Sequence, residues 1–286
     1  MSLPVKKIYV DSLYKTADSI SSSNFKIELP YTITMPKDAV FTIDEVCIPH
    51  AWYTIEENVN DKMYLFILNL TTRATRSIII QIPDGNYTGD LLKAALQTIF
   101  TSAVSTIGVV LTVGYNSNTV NITIAVSGAY EVQILSDKEI ANNLRGYWNP
   151  AVIIDHANPA SMNDVLRNYG DSNDGRTAIY STYNPYESGF LNFQGINNIY
   201  ISSPNLGSFK TIGPRGESTI IKKVPVSSEY GYMIIDRYST ANDYLDCSKS
   251  TLRTLEFNIR SSKGGYVPLH DANVSFTLVF SVKEPE

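Results

Sequence analysis

Charged residues are scarce in this chain of 286 residues. They make up 18% of the sequence, against about a quarter in an average protein. The 23 Lys and Arg against 28 Asp and Glu leave a net charge of −5, and no dense basic run occurs. A surface that neutralises phosphates needs clustered cations. We therefore expect no direct nucleic-acid binding.

Long apolar runs are also missing. No stretch approaches the roughly 18 apolar residues of a membrane helix, so no membrane span is predicted. The segment Met1–Asp11 is polar and lacks the apolar core of a signal peptide, so we expect folding in a reducing compartment. The two cysteines, Cys47 and Cys247, are then expected to be buried thiols rather than a disulfide.

The three histidines give no metal signature. His50, His156 and His270 have no second His or Cys at zinc spacing, so a structural role is expected for each. Cys47 lies between Val46 and Ile48, which favours a buried small hydrophobe over a nucleophile. No catalytic residue, cofactor or metal site is predicted, and the chain is not expected to be an enzyme.

Three weaker motifs have simpler interpretations. The segment Asp171–Gly175 resembles a calcium loop, but its glycine falls one position early and Thr182 stands where an acidic residue is needed. Adjacent Glu56 and Glu57 would point to opposite faces of an extended chain, which indicates a solvated loop. Gly213–Gly216 is a turn, because no helix start follows it.

What the chain has in abundance is alternating apolar and polar residues, the pattern of half-buried strands. Three strands are predicted early and five late, most of them bounded by proline, glycine or other turn residues. These strands are Phe25–Leu29, Val40–Ile48, Met63–Leu70, Ile199–Ile201, Thr219–Val224, Tyr232–Asp236, Leu255–Ile259 and Val274–Val282.

The middle of the chain combines strands with helices. A helix is expected to start at Thr88, with Leu91, Leu92, Ala95, Leu96 and Ile99 on one face. Strands at Val109–Val113 and Val120–Val126 flank a hairpin turn at Asn116–Asn118. Ser136 and Glu139 have capping-box spacing for a second helix. A short third helix is predicted within Pro159–Arg167.

The fold class that follows is all-β. We expect an eight-stranded single jelly roll with an inserted β/α domain between its third and fourth strands. The predicted domains are an N-terminal arm (residues 1–24), a jelly-roll domain (25–70 plus 195–286) and an insertion domain (71–194).

Two segments keep alternative interpretations. The arm is either a disordered terminus or a strap that clamps neighbouring subunits, and we favour the strap for part of its length. The 19 tyrosines concentrate partly in a region marked by Tyr147, Trp148, Tyr180, Tyr183, Tyr186 and Phe190. That region is either a stacking platform for a sugar or receptor, or aromatic packing within the subunit or its interfaces. We favour packing.

Four stretches together resemble a known family. They are a polar arm leading into a strand, a strand ending in proline, a turn leading into a helix, and a strand–glycine–strand ending. Their residues are Ile8–Ser12 with Ser19–Leu29, Ile43–His50, Ile82–Thr88 with Leu91–Phe100, and Leu255–Ile259 through Gly264, Gly265, Pro268 and Leu269 to Val274–Phe280. In order and spacing this chain resembles the penton, or minor capsid, proteins of virophages and polinton-like viruses.

The resemblance implies a structural role in a virion. A single jelly roll would form the shell at each five-fold vertex of an icosahedral capsid, as a homopentamer, and the insertion would project outward. The partners implied are other copies of the chain and the double jelly-roll major capsid protein, after synthesis in the host cytoplasm. A host receptor is a further candidate partner without support in the sequence. The alternative is a lectin-like or receptor-binding viral attachment module on the same sandwich.

Overall fold

The computed structural model describes residues 6–142, 160–167, 180–181, 184–207, 211–237 and 243–282. Strands predominate in these residues: β1 (Lys6–Asp11), β2 (Asn24–Thr34), β3 (Ala39–Pro49), β4 (Lys62–Asn69), β5 (Thr75–Gln81), β6 (Val110–Asn116), β7 (Asn121–Ser127), β8 (Tyr130–Ile134), β9 (Tyr180–Ser181), β10 (Tyr186–Glu187), β11 (Asn198–Ser202), β12 (Ile220–Pro225), β13 (Met233–Asp236), β14 (Leu245–Asp246), β15 (Thr251–Ser261) and β16 (Ser275–Val282). The helices are α1 (Gly89–Ala103), α2 (Asp137–Asn142) and α3 (Asn163–Leu166).

The chain divides into two compact units. Met1–Trp52 and Ile196–Glu286 make up the first, here called the sandwich unit. Tyr53–Gly195 make up the second, the inserted unit. In chain order the inserted unit follows β3 and precedes β11, so it interrupts the sandwich unit once.

Two antiparallel sheets form the sandwich unit. Sheet A has the order β1-β16-β3-β13, with β14 also paired to β3, and sheet B has the order β12-β11-β15-β2. In each sheet a strand from the start of the chain pairs with one from the end: β1 with β16, and β2 with β15. This interleaving is the jelly-roll arrangement, and it confirms the all-β jelly-roll prediction.

Alternation along the strands builds the core between the sheets. On β16, Phe276, Leu278 and Phe280 are buried, while the residues between them are less so. Phe257 of sheet B packs against Phe25 in the same sheet, with ring centroids 5.4 Å apart. Phe257 also meets Phe276 of sheet A edge-on at 4.9 Å. Aromatic contacts of this kind fix how the two sheets face each other.

A charged pair also joins the two sheets. Lys222 on β12 and Asp236 on β13 lie 3.7 Å apart, and each side chain is only 10% exposed. Two strands in different sheets are thereby held together at one side of the sandwich. Substitution of only one partner of such a buried pair destabilises the fold, because the remaining charge stays out of contact with water.

The inserted unit has its own core. Its sheets have the orders β5-β4-β8-β9 and β10-β7-β6, and α1 packs against this core through Leu92, Leu96 and Phe100. As predicted, the Thr88 hydroxyl caps α1 by accepting from the Leu91 N–H, and β6 and β7 form a hairpin. The prediction for Leu91 is wrong. It is 56% exposed, because it is rotated by about 100° from Leu92 on the buried face.

The other local helix signals are confirmed where the structure describes them. The Ser136 N–H donates to the Glu139 carboxylate at 3.0 Å, and the Glu139 N–H returns a longer bond to the Ser136 hydroxyl. This reciprocal pair is the capping box at the start of α2. The third predicted helix contains α3, whose four residues fall inside the predicted range.

The domain limits differ from those expected. Met63–Leu70 was assigned to the jelly roll, but β4 pairs with β5 and β8, so the break lies between Trp52 and Tyr53. Five consecutive residues of β4, Met63 to Ile67, are buried, so both of its faces are covered. A continuous apolar run of this kind specifies a strand but not its partners.

The N-terminal arm also differs from expectation. Lys6–Asp11 form β1, which pairs with β16 from Lys6↔Phe280 to Asp11↔Ser275. Ile8 and Val10 are buried in the core of the sandwich unit. The alternation in Lys7-Ile8-Tyr9-Val10-Asp11 indicates a short strand, which the prediction of an arm did not take into account. This segment is therefore a structural strand of sheet A.

Loss of the Phe257 ring should destabilise the sandwich. We expect Phe257→Ala to lower the free energy of unfolding by about 3–5 kcal/mol, because it removes contacts to both sheets and leaves a cavity. The measurement is equilibrium urea unfolding at low protein concentration. Phe190→Ala is the control, because that ring is 62% exposed and its loss should cost less than about 0.5 kcal/mol. Equal effects of the two substitutions would contradict this packing.

Candidate assembly surfaces

The part of the chain that the structure describes contains no cluster of three or more His, Cys, Asp or Glu residues suited to a metal ion. Within the same residues, no helix combines the length and apolarity needed to cross a membrane. Large apolar side chains, by contrast, stand exposed at defined places on the sandwich unit.

The histidines that are described have structural surroundings. His50 is buried, stacks on Trp52 with ring centroids 4.2 Å apart, and meets Tyr230 edge-on at 6.2 Å. Its Nδ1 lies 2.8 Å from the Ser228 carbonyl oxygen, which fixes the ring orientation. His270 is exposed in a turn with a positive φ of 46°. His156 lies outside the described residues.

Both cysteines are free thiols in settings that oppose ionisation. Cys247 is buried, and burial together with the Asp246 carboxylate raises its pKa to about 12. The expectation for Cys47 is wrong in part, because this side chain is half-buried on the outward face of sheet A. Desolvation, and then the Glu45 carboxylate, still raise the pKa of Cys47. A protonated thiol is a poor nucleophile.

The weaker motifs form turns where they are described. Glu56 accepts from the Tyr53 N–H at 3.0 Å and its own N–H donates to Asn60 at 2.7 Å, so it closes a loop. Gly213 and Gly216 form the predicted turn, with the Gly216 N–H donating to the Gly213 carbonyl at 3.0 Å. The segment Asp171–Gly175 lies outside the described residues.

The aromatic region is described at two side chains. Tyr186 is fully buried in the core of the inserted unit, which supports the packing interpretation there. Phe190 is exposed. Tyr147, Trp148 and Tyr183 lie outside the described residues, and Tyr180 is described as part of β9.

One exposed apolar surface lies along β1, which forms one edge of sheet A, and the connection that follows it. We call this surface, made of Tyr9, Leu13, Tyr14 and Lys15, the first edge. Tyr9 and Tyr14 are each more than three-quarters exposed. Alternation dictates the orientation of Tyr9, because Ile8 and Val10 on either side of it point into the core.

A second exposed apolar surface lies at the opposite edge of sheet A. We call this surface, made of Glu229, Tyr230, Tyr232, Met233 and Ile235, the second edge. Met233 and Ile235 point outward because Ile234 and Asp236 between and after them are buried. Tyr230 and Tyr232 belong to the connection from β12 to β13, and Tyr232 is 67% exposed.

The strand register places both edges at the same end of sheet A. Asp11 pairs with Ser275, Ser275 pairs with Cys47, and Cys47 pairs with Ile235, so one row runs across the sheet. Leu13, Tyr14 and Lys15 follow Asp11 beyond this row. Tyr232, Tyr230 and Glu229 lie beyond it on the other edge, because β13 runs in the opposite direction to β1.

The outward face of sheet B carries paired charges. Lys26 pairs with Asp18 at 3.0 Å, Arg253 pairs with Glu28 at 2.7 Å, and the Arg260 guanidinium lies 4.2 Å from the Tyr266 ring centre. The exposed tyrosines and aliphatic residues of the two edges of sheet A suit a covered surface.

Charges at the two edges are of opposite sign. Lys15 and Glu229 are exposed, and neither forms an ion pair within the described residues. Two neighbouring charges are paired: Lys7 lies 3.9 Å from Asp44, and Arg237 lies 3.0 Å from Glu45. Lys15 is thus an unpaired positive charge of the first edge and Glu229 an unpaired negative charge of the second. Asp11, between Tyr9 and Leu13, is also partly exposed, and its carboxylate accepts from the Leu13 N–H at 2.8 Å.

Sequence reasoning identified the tyrosine excess but not these two surfaces. Both depend on which strand ends up at the edge of a sheet, and that is set by pairing across more than 180 residues. The sequence contains only local indications of these surfaces. The Ile8 and Val10 alternation and the Tyr232-Met233-Ile234-Ile235 run each place an apolar side chain on the outward face of a strand.

The buried Cys247 thiol predicts a pH dependence of stability. Unfolded cysteines ionise near pH 8.5, whereas Cys247 keeps its proton in the folded chain until about pH 12. Its contribution is thus fully present below pH 8.5 and falls as pH rises from there toward 12. Urea unfolding at several pH values should show a shallower alkaline loss of stability for Cys247→Ala than for the unchanged chain. Parallel curves would contradict this expectation.

Comparisons with known proteins place the fold. The sequence matches no known family model and no curated protein. The structure is similar to the crystal structure of the penton protein of mavirus, with a TM-score of 0.50. The similarity covers 96% of this chain and 99% of that chain, at 11% sequence identity. At this identity the likeness establishes the fold: this chain has a penton-like, all-β jelly-roll architecture.

Proposed function

We propose that this protein is a structural capsid protein that forms the five-fold vertices of an icosahedral virion, as in virophages and polinton-like viruses. One observation carries the proposal. The likeness to a penton protein extends over almost the whole of both chains, so it includes the inserted unit as well as the jelly roll. A jelly roll alone would imply no particular function.

The surface of the sandwich unit supports assembly. Five copies related by a rotation axis must contact each other through two different faces, one on each side of the subunit. Apolar surfaces at opposite edges of sheet A provide two such faces. The homopentamer is the assembly that we propose, and we propose that the surrounding major capsid protein contacts its outer circumference.

We further propose that the inserted unit projects outward from the capsid. It has its own apolar core, formed by two small sheets and α1, and among the described residues none of its strands pairs with a strand of the jelly roll. A unit that interrupts the sandwich once, between β3 and β11, leaves both sheets of the shell-forming part complete.

The remaining properties follow from a structural role. We expect no catalytic activity and no direct contact with nucleic acid, in keeping with the net charge of −5 and the lack of a basic cluster in the sequence. The site of action is then the virion, after synthesis in the host cytoplasm.

The native mass of the purified full chain tests this function. We expect mass photometry at several concentrations and salt levels to detect a discrete species of five times 31.8 kDa, with five-fold symmetric particles in negative-stain images. A stable dimer or trimer would contradict the vertex role. A monomer that bound glycans on an array would favour the attachment module instead.

A further inference from the structure

The two edges of sheet A have complementary properties. They lie at the same end of the sheet, on opposite sides, and each presents exposed apolar side chains, with the unpaired Lys15 on the first edge and the unpaired Glu229 on the second. Resting on the proposed vertex function, we propose that the first edge of one copy packs against the second edge of the next copy, with Lys15 facing Glu229, and that this contact closes the ring.

Apolar area supplies the attraction in this contact. Tyr9, Leu13 and Tyr14 of the first edge meet Tyr232 and Met233 of the second. Burial of exposed apolar surface stabilises association by about 25 cal/mol for each Å² removed from water. Tyrosine and methionine are enriched at protein interfaces, because they bring large contact area and adaptable shape. Left uncovered, these surfaces would favour aggregation.

Charge favours the head-to-tail arrangement of the copies. Head-to-tail packing sets Lys15 against Glu229 at every contact, whereas a two-fold dimer built on either edge alone brings neither charge to the opposite charge of the other edge.

Register makes the contact repeatable. The row from Asp11 to Ile235 crosses the whole of sheet A, so the two edges lie at the same end of its strands. A neighbour that joins at one edge leaves its own opposite edge free for the next copy, as the head-to-tail contacts of a ring require.

Charge reversal provides the test. We expect Lys15→Glu and Glu229→Lys, each alone, to raise the concentration at which half the chains are assembled by roughly tenfold or more, because like charges then face each other at every contact. The double variant, with both reversals, should recover most of the assembly of the unchanged chain. Lys249→Glu is the matched control, because this exposed lysine lies past β14 at the other end of sheet A.

Carbodiimide cross-linking gives a second measurement that needs no substitution and detects weak association. An equal mixture of ¹⁴N- and ¹⁵N-labelled chains is cross-linked at high concentration, digested and examined by mass spectrometry. We expect a Lys15–Glu229 isopeptide that joins one labelled and one unlabelled peptide. Such a mixed product arises only between two copies.

The outcomes separate this inference from the proposed function. A pentamer that ignores both reversals and gives no mixed cross-link would overturn the edge pairing and leave the vertex role standing. Reversals that each weaken assembly without recovery in the double variant would also overturn it, and would indicate that the edges face other partners. A chain that stays monomeric and gives no cross-link would overturn both proposals.

Discussion

Pairing between the two ends of the chain is the constraint on which the sandwich depends. β1 lies against β16, and β2 lies against β15, and the strands of each pair are separated by more than 200 residues in the sequence. In each pair the late strand lies inside its sheet and the early strand forms an edge. These pairings place Phe276 of one sheet over Phe257 of the other. Everything else in the sandwich follows from this frame: where β3 and β11 fit, which strands become edges, and which side of each strand faces the core.

The same constraint separates what the sequence can predict from what it cannot. Alternation predicted β2, β3, β16 and the other long strands, because a half-buried strand needs a period of two whatever its partner is. Thr88 and the Ser136–Glu139 pair predicted helix starts, because capping is a contact within one turn. The partners of β4 were not predictable. Its buried run Met63–Ile67 fits the middle of any sheet, and the chain placed it in the inserted unit.

The candidate assembly surfaces were less predictable than the fold. Tyr9 and Tyr232 look alike in sequence to Tyr186, yet the first two are exposed and the third is fully buried. The difference arises from tertiary structure, because Tyr186 packs into the core of the inserted unit, whereas Tyr9 and Tyr232 lie on the surface of the sandwich unit. Composition gave the general expectation, since few charges and many tyrosines suit covered surfaces. Assignment to two opposite edges needed the register.

An insertion after β3 is compatible with this frame for a physical reason. The connection from β3 to β11 passes from sheet A to sheet B, so it joins two strands that do not pair with each other. A unit inserted there disturbs no hydrogen-bonded hairpin. The entropic cost of lengthening a connection grows only logarithmically with its length. Since the inserted unit brings its own core, its sequence can vary without disturbing the strand pairs of the sandwich unit.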